Sequence, residues 1–179
     1  MLEVIILAAG QGSRMQSSTP KALHTLAGRP LVAHVLQTAR RLNADRIHVV
    51  VGYGAEAVQS AVAAADVQCH LQTEQLGTGH AVKQAIGSCE SASTVLVLFG
   101  DVPLITERAL ISVLAKAETG VAMLSATLAN PAGYGRVVRA VAGEFVAVVE
   151  ERDATPEQRA LREVNTGVLA AKAQRLAAW

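Results

Sequence analysis

Val95-Leu-Val-Leu-Phe-Gly-Asp-Val-Pro-Leu104 is the stretch on which the fold turns. An apolar, β-rich run ends at Gly100, a carboxylate follows at Asp101, and Pro103 cannot extend a central strand. In an open α/β sheet, this carboxyl end of a strand is where ligands bind. Asp101 is therefore well placed to hold Mg²⁺, which favours oxygen ligands and usually carries phosphate groups with it. The chain opens on a second unit of the same kind, Val4-Ile-Ile-Leu-Ala-Ala-Gly-Gln-Gly-Ser-Arg-Met15, followed by Pro20-Lys21. A strand running into a Gly-rich loop with Arg14 and Lys21 nearby suits anionic phosphates. The two units together point to an enzyme that handles a nucleotide triphosphate and a metal.

Outward from these units, strand-length and helix-length patterns alternate. Strands are expected at 4–8, 46–51, 67–72, 94–99 and 121–128. Between them, 31–42 carries Leu31, Val35, Leu36 and Ala39 at helical spacing, and 55–65 is Ala-rich. Thr78 is expected to cap a helix to about Ile86, and Thr106 another, with Glu107 in its first turn, to about Glu118. This alternation predicts a Rossmann-like, doubly wound, mostly parallel sheet with both faces covered. The later part reads differently. A hairpin is expected from 136–141 and 144–151, then a helix start at Thr155-Pro156, then a strand over 164–171 with Gly167 inside it. The expectation is one α/β domain over 1–179, with a nucleotide-binding core over about 1–128 and a small β-hairpin/helix extension over about 129–171. The end at Ala177-Ala-Trp179, inside a helix that begins near Lys172, reads as a cut.

The totals narrow the function. A net charge of +1 with no basic block gives no support to bulk nucleic-acid binding. Aromatic residues at 3% leave little for stacking single strands. Cys69 and Cys89 lack the spacing of a disulfide framework or a zinc site and read as reduced, buried thiols. The five histidines form neither a metal spacing nor a triad, and no GxSxG motif is present. No apolar run approaches the ~18 residues of a membrane helix, and no signal peptide is read. A cytoplasmic protein is the expectation.

The loop Gly10-Gln-Gly12 is half of a dinucleotide fingerprint, because Met15 stands at the third glycine position, and no GxxxxGK[ST] loop occurs. On spacing alone it is either a tight βα turn or a phosphate cradle. Arg14 brings a planar fork of donors and Lys21 a point charge, the chemistry a phosphate requires. Gln72-Thr-Glu-Gln-Leu-Gly-Thr-Gly-His-Ala81 follows the third strand and precedes a helix. Gln72 has the donor and acceptor needed to read a base edge, although the glycines could equally serve the helix start. Gly133-Tyr-Gly-Arg136 is a turn that either lets amides face a ligand or simply reverses the chain. Glu150 and Asn165, on the later strands, are candidates for sugar hydroxyls or are ordinary surface groups.

Taken in order, Leu7-Ala-Ala-Gly-Gln-Gly-Ser-Arg-Met15, Pro20-Lys-Ala-Leu-His24, the Gln72–His80 run, Gly100-Asp-Val-Pro103, Gly133-Tyr-Gly-Arg136, Val149-Glu150 and Glu163-Val-Asn-Thr-Gly167 resemble the sugar-phosphate nucleotidyltransferases. Within them the chain is most similar to the uridyltransferase domain of the bacterial bifunctional N-acetylglucosamine-1-phosphate uridyltransferase/glucosamine-1-phosphate acetyltransferases. The first motif is shared with cytidylyl- and guanylyltransferases; the Gln72–His80 run and Asn165-Thr-Gly167 discriminate more. The resemblance implies a nucleotide-diphospho-sugar transferase fold. It also implies the reaction of UTP with N-acetylglucosamine 1-phosphate to give UDP-N-acetylglucosamine and pyrophosphate, a precursor step for peptidoglycan and lipopolysaccharide. By the same resemblance Leu7, Ala8, Ala9, Gly10, Gln72, Gly77 and Thr78 hold the nucleotide. Arg14 sits on the leaving pyrophosphate, Lys21 neutralises the phosphates, and Asp101 ligates Mg²⁺. Phe99 and Gly100 lie beside ribose and sugar, and Gly135, Glu150 and Asn165 hold the N-acetylglucosamine.

Two departures from the family's pattern stand out. Phe99 occupies a position where Tyr is common. The chain also ends before the family's second Mg²⁺ ligand, an Asn, and before the β-helix domain that carries acetyl transfer and builds a homotrimer. Weak or absent turnover from these 179 residues is therefore expected, a loss that nucleotide affinity can survive. The alternatives are a cytidylyl- or guanylyltransferase and a non-catalytic nucleotide-sugar binding module.

Overall fold

The computed structural model describes residues 1–12 and 15–179, and the chain divides into two compact units. The first comprises Met1–Ala122 and Leu169–Trp179, and the second Met123–Val168. In the first unit the chain runs through β1 (Leu2–Ala8), the short pair β2 (Thr25–Leu26) and β3 (Arg29–Pro30), α1 (Leu31–Arg41), β4 (Arg46–Val51), α2 (Ala55–Val62), β5 (Val67–Leu71), α3 (Thr78–Ile86), β6 (Thr94–Phe99) and α4 (Glu107–Ala117). It then passes through β7 (Ala122–Thr127), β8 (Arg136–Arg139), β9 (Phe145–Val149), α5 (Pro156–Arg159) and β10 (Glu163–Lys172), and ends in α6 (Ala173–Ala177).

The sheet of the first unit is ordered β5-β4-β1-β6, all parallel, with Leu169–Lys172 of β10 antiparallel to β6. β1 and β4 are buried at consecutive positions rather than alternate ones, as a strand covered on both faces must be. One face, carrying Ile5, Leu7, Val50, Val95 and Val97, packs against Ala81, Ala85 and Ile86 of α3 and Ala173 and Leu176 of α6. The mostly parallel, Rossmann-like layer expected from the alternation is therefore what the chain forms. In α1 the buried stripe is Val32, Val35, Leu36, Thr38 and Ala39; Val32 takes the place expected of Leu31.

The two expected caps differ. Thr106 accepts the Ala109 amide at 3.3 Å and caps α4. Thr106→Ala should lower unfolding stability by about 1 kcal/mol in urea denaturation, and an unchanged midpoint would deny the cap any role. Thr78 caps nothing. The N-cap of α3 is Gly77 at φ 104°, a left-handed conformation that glycine adopts without a Cβ penalty, which leaves the Thr78 side chain for another use.

In the second unit β8 and β9 form the expected hairpin, shorter than expected because the ladder slips between Val138 and Arg139. Thr155 starts α5 with a complete capping box to Gln158 and Pro156 at the helix start. Arg139 forks onto Glu163 through two contacts of 2.7 Å, and Ser125 donates to the same carboxylate at 2.6 Å. Arg139 first, then Ser125, holds the Glu163 carboxyl down at about 2, below its ordinary 4.5. A lowered carboxyl contributes its full stability above its unfolded pKa and loses it as pH falls through the folded one. Glu163→Gln should therefore flatten the loss of stability between pH 4.5 and 2 and leave its slope near neutrality alone. Parallel acid-unfolding curves for the two proteins would refute this.

Candidate functional site

A cleft of about 310 Å³ opens in the first unit at the carboxyl ends of β1, β5 and β6. Its walls are Leu7, Ala8, Ala9, Gly10, Gly12, Lys21, Ala22, Gln72, Gln75, Gly77, Thr78, Ala81, Phe99 and Asp101. This is where a parallel sheet exposes strand ends, and the volume suits a small ligand. Ten of the residues nominated from the sequence thus meet at one surface: Leu7, Ala8, Ala9, Gly10, Lys21, Gln72, Gly77, Thr78, Phe99 and Asp101. Gly100 stands behind the wall. Its amide bonds the Leu7 carbonyl at 2.9 Å, and a Cβ on it would lie 3.2 Å from that of Ala8. Arg14 lies outside the described residues. Gln75, Ala22 and Ala81 were not nominated, although Gln75 sits inside the quoted Gln72–His80 run.

Lys21 and Asp101 form an ion pair across the cleft, Nζ to Oδ2, with side chains 43% and 25% exposed. The two come from distant segments. Lys21 starts a short 3-10 turn after the buried Pro20, and Asp101 follows β6. Gly12 at φ 67° lets the first loop close over Lys21, since a Cβ there would fall 2.8 Å from that of Lys21. An ion pair that remains half open to water is weak and exchangeable. Each group can turn to a ligand, the ammonium to phosphate oxygens and the carboxylate to a cation.

Gln72, only 3% exposed, anchors the other end of the cleft. Its Nε2 donates to the Gly77 carbonyl at 3.4 Å and meets His80 Nδ1 at 3.0 Å. A carbonyl only accepts, so the amide nitrogen faces it, with His80 Nδ1 on the same side. The Gln72 carbonyl oxygen takes no bond among the described residues and is left for a ligand. Gly52 keeps this end tight: a Cβ there would lie 2.9 Å from both Ala9 Cβ and the Ala9 carbonyl and 3.1 Å from the Gln72 carbonyl. Gly52→Ala should push Ala9 and Gln72 apart and weaken nucleotide binding at least about tenfold, ~1.4 kcal/mol. Unchanged calorimetric affinity would show that this contact is not felt in the cleft.

The second unit brings Gly135, Glu150 and Asn165 together. The Asn165 amide bonds the Gly135 carbonyl at 2.8 Å, and a Cβ on Gly135 would lie 3.2 Å from Glu150 Oε1. Asn165 Oδ1 accepts the amide of Gly167, which sits at φ 82°. Arg136, 2% exposed, is structural. It donates to Glu151 at 2.7 Å and to the carbonyls of Tyr134 and Arg159. Arg136 and then the Gly133 amide lower the pKa of Glu151. Of the two neighbouring glutamates, Glu151 is committed to the fold and Glu150 is the one beside the glycine turn.

With this geometry in place, comparison decides the family. A model of the MobA-like NTP transferase domain matches residues 4–168. The chain belongs to the MobA-like NTP transferase family. This MobA-like NTP transferase is 53% identical over 179 residues to the bifunctional protein GlmU of Azotobacter vinelandii, covering 99% of the chain and 39% of that protein. It is 51% identical over 178 residues to the bifunctional protein GlmU of Dechloromonas aromatica, again 99% and 39%. The chain therefore spans about 40% of the length of the curated relatives it matches. Among solved structures, HddC from Yersinia pseudotuberculosis in complex with GMP-PN aligns at TM-score 0.75 and 20% identity, covering 100% of the chain and 80% of HddC. A nucleotidyl transferase from Methanothermobacter aligns at TM-score 0.70 and 21% identity, covering 100% and 74%.

Two chemically different places on this transferase could hold a cation. Asp101 offers carboxylate oxygens in the cleft, and Mg²⁺ is commonly held by one or two carboxylates plus substrate phosphates and water, so the residues fit it. Glu3, His48 and Cys89 also converge, in a way their separation in the sequence conceals. Glu3 lies four residues before the cleft residue Leu7 on β1, about 13 Å at the rise of a strand, and a mixed O,N,S set is not Mg²⁺ chemistry. Cys69 and Cys89 are free and half-buried rather than fully enclosed. No helix among the described residues is long and apolar enough to cross a membrane.

Proposed function

We propose that this domain transfers the uridylyl group of UTP to N-acetylglucosamine 1-phosphate, releasing pyrophosphate. The observation that carries the reading is the Lys21–Asp101 pair facing a cleft whose far end presents the free carbonyl oxygen of Gln72. A phosphate oxygen of the sugar phosphate attacks the α-phosphorus in line, and the bond to pyrophosphate breaks. The nucleophile is already anionic near neutral pH, so positioning and charge neutralisation do the work. Asp101 would hold Mg²⁺ together with the nucleotide's phosphate oxygens, supplying positive charge where the phosphates crowd. Lys21, paired with Asp101 in the free domain, would supply its ammonium to the phosphates. Arg14 takes the leaving pyrophosphate.

Base choice follows from Gln72. Its nitrogen is taken by Gly77 and His80, so it offers an acceptor to the cleft. Uracil presents a ring N–H there, whereas the matching ring nitrogen of cytosine is itself an acceptor and would be repelled. Guanine also carries a ring N–H, and the HddC complex holds a guanine nucleotide analogue, so GTP is the rival to test. In the second unit Gly135, Glu150 and Asn165 would hold the amino sugar. The 51% identity to proteins named GlmU supports the uridylyl and N-acetylglucosamine reading over its sister transferases. A cytoplasmic location, and a trimer of the longer parent built by its C-terminal domain, belong to the same proposal.

Calorimetric titration of UDP-N-acetylglucosamine, UDP-glucose, CTP and GTP with Mg²⁺ tests it. Selective binding of UDP-N-acetylglucosamine is the expected result. Tighter binding of CTP or GTP would move the assignment to a sister transferase. Binding of UDP-N-acetylglucosamine with no transfer of UMP in an assay of pyrophosphate release would leave a nucleotide-sugar binding module.

A further inference from the structure

Glu3 at the start of β1 and His48 in β4 are both completely buried, and His48 Nε2 lies 2.9 Å from Glu3 Oε2. Cys89, just beyond α3, is half-buried, and one donor atom from each of the three falls within 4.8 Å of the others. Neighbouring groups hold two of the three in place. The other ring nitrogen of His48 is held by His70 Nε2 at 3.0 Å, which fixes the ring and points Nε2 at Glu3. The second carboxylate oxygen of Glu3 accepts the Glu90 amide at 2.8 Å, which aims Oε2 at the cluster. The hydroxyl of Ser93, 1% exposed, stands beside Glu3 without a hydrogen bond of good geometry. A buried hydroxyl left over beside a buried carboxylate is uncommon in a packed core.

We propose that Glu3, His48 and Cys89 form a binding site for a borderline-soft divalent cation, zinc in the first place. Zinc takes a carboxylate oxygen, an imidazole nitrogen and a thiolate sulfur at about 2.0–2.3 Å, so the three donors can share one ion once the Glu3–His48 contact opens by a few tenths of an ångström and the Cys89 sulfur, within 4.8 Å of both, closes toward it. His70 then plays the part of the partner that orients a ligating histidine. Burial first, and then Glu3, pushes the Cys89 thiol up to about 12, so the thiol arrives protonated. As the sulfur–zinc bond forms, its proton passes to solvent. The cation would tie β1, β4 and the end of α3 together toward the amino end of β1, away from the nucleotide cleft at its carboxyl end. It is a stabilising site, independent of the transfer reaction.

The test uses Co²⁺ in place of Zn²⁺, on protein first treated with chelator, without nucleotide. A sulfur-to-cobalt charge-transfer band saturating at one ion per chain is expected, chased out by Zn²⁺. The band should vanish in Cys89→Ser and persist in Cys69→Ser. Zn²⁺ should also raise the thermal midpoint of the parent by at least about 5 °C and that of Cys89→Ser hardly at all. No band in the parent, a band surviving in Cys89→Ser, or a band lost in Cys69→Ser would each overturn the proposal. Because Glu3→Gln disturbs a buried pair and could unfold the chain, the cysteine variants carry the decision.

Discussion

Lys21→Ala is expected to slow whatever UMP transfer the domain performs under the proposed function by about 10²–10³-fold, the cost of removing one preorganised positive group from a transition state that spreads negative charge. It should also weaken Mg·UTP binding about tenfold, because under the proposed function the same ammonium would face the phosphates before reaction. Stability should barely move. The Lys21 side chain is 43% exposed and its partner Asp101 is a quarter exposed, so the pair contributes little to folding. Lys21→Arg should recover only part of the rate, since a planar fork does not replace a compact ammonium. Steady-state kinetics with a thermal melt on the same sample read all three quantities. A variant that turns over normally would remove Lys21 from the chemistry and leave the ion pair as a surface contact.

Glu3→Ala is expected to be the most damaging change far from the cleft, destabilising the chain by about 3–5 kcal/mol in the metal-free protein. Burial pulls the Glu3 carboxyl up, but the bonds from His48 and the Glu90 amide outweigh it, and the net shift is downward. The charge is therefore held by its partners. Removing it leaves His48 at 0% exposure without its partner and the Glu90 amide without its acceptor. His70, on the other side of His48, has its pKa lowered by burial first and then by His48. Urea denaturation of the parent and the variant measures the difference. A change under about 1 kcal/mol would show that the pair is no better than the apolar packing that replaces it.

Much of the architecture could be read from residue order. Apolar runs of strand length such as Val4–Ala8 and Thr94–Phe99 alternate with helical spacing, and each run is punctuated by glycine or proline at its carboxyl end. These are local signals, and they placed β1, β4 and β6 within two residues of their ends. The errors fell where local chemistry had a competitor. Thr78 looked like a cap, but Gly77 at φ 104° turns the chain first. The hairpin looked longer, but Arg139 leaves the ladder's regular register and pairs with Glu163.

The candidate cleft was legible for a related reason. Its lining comes from loops that directly follow strands, so a motif's position in sequence is also its position at the sheet's edge. Leu7–Gly10, Gln72–Thr78 and Phe99–Asp101 are of this kind. What the sequence by itself determined was therefore the parallel sheet, the loops at its carboxyl ends and the residue types those loops present. Tertiary structure alone decided the pairings: Lys21 against Asp101, Gln72 against His80, and Glu3 against His48 across 45 residues. Pairing of that kind depends on the order in which strands lie side by side, β5-β4-β1-β6, and on which face each side chain takes. Neither has a local signature, because the free energy that sets them comes from burying whole faces of the sheet under α3 and α6 rather than from any one segment.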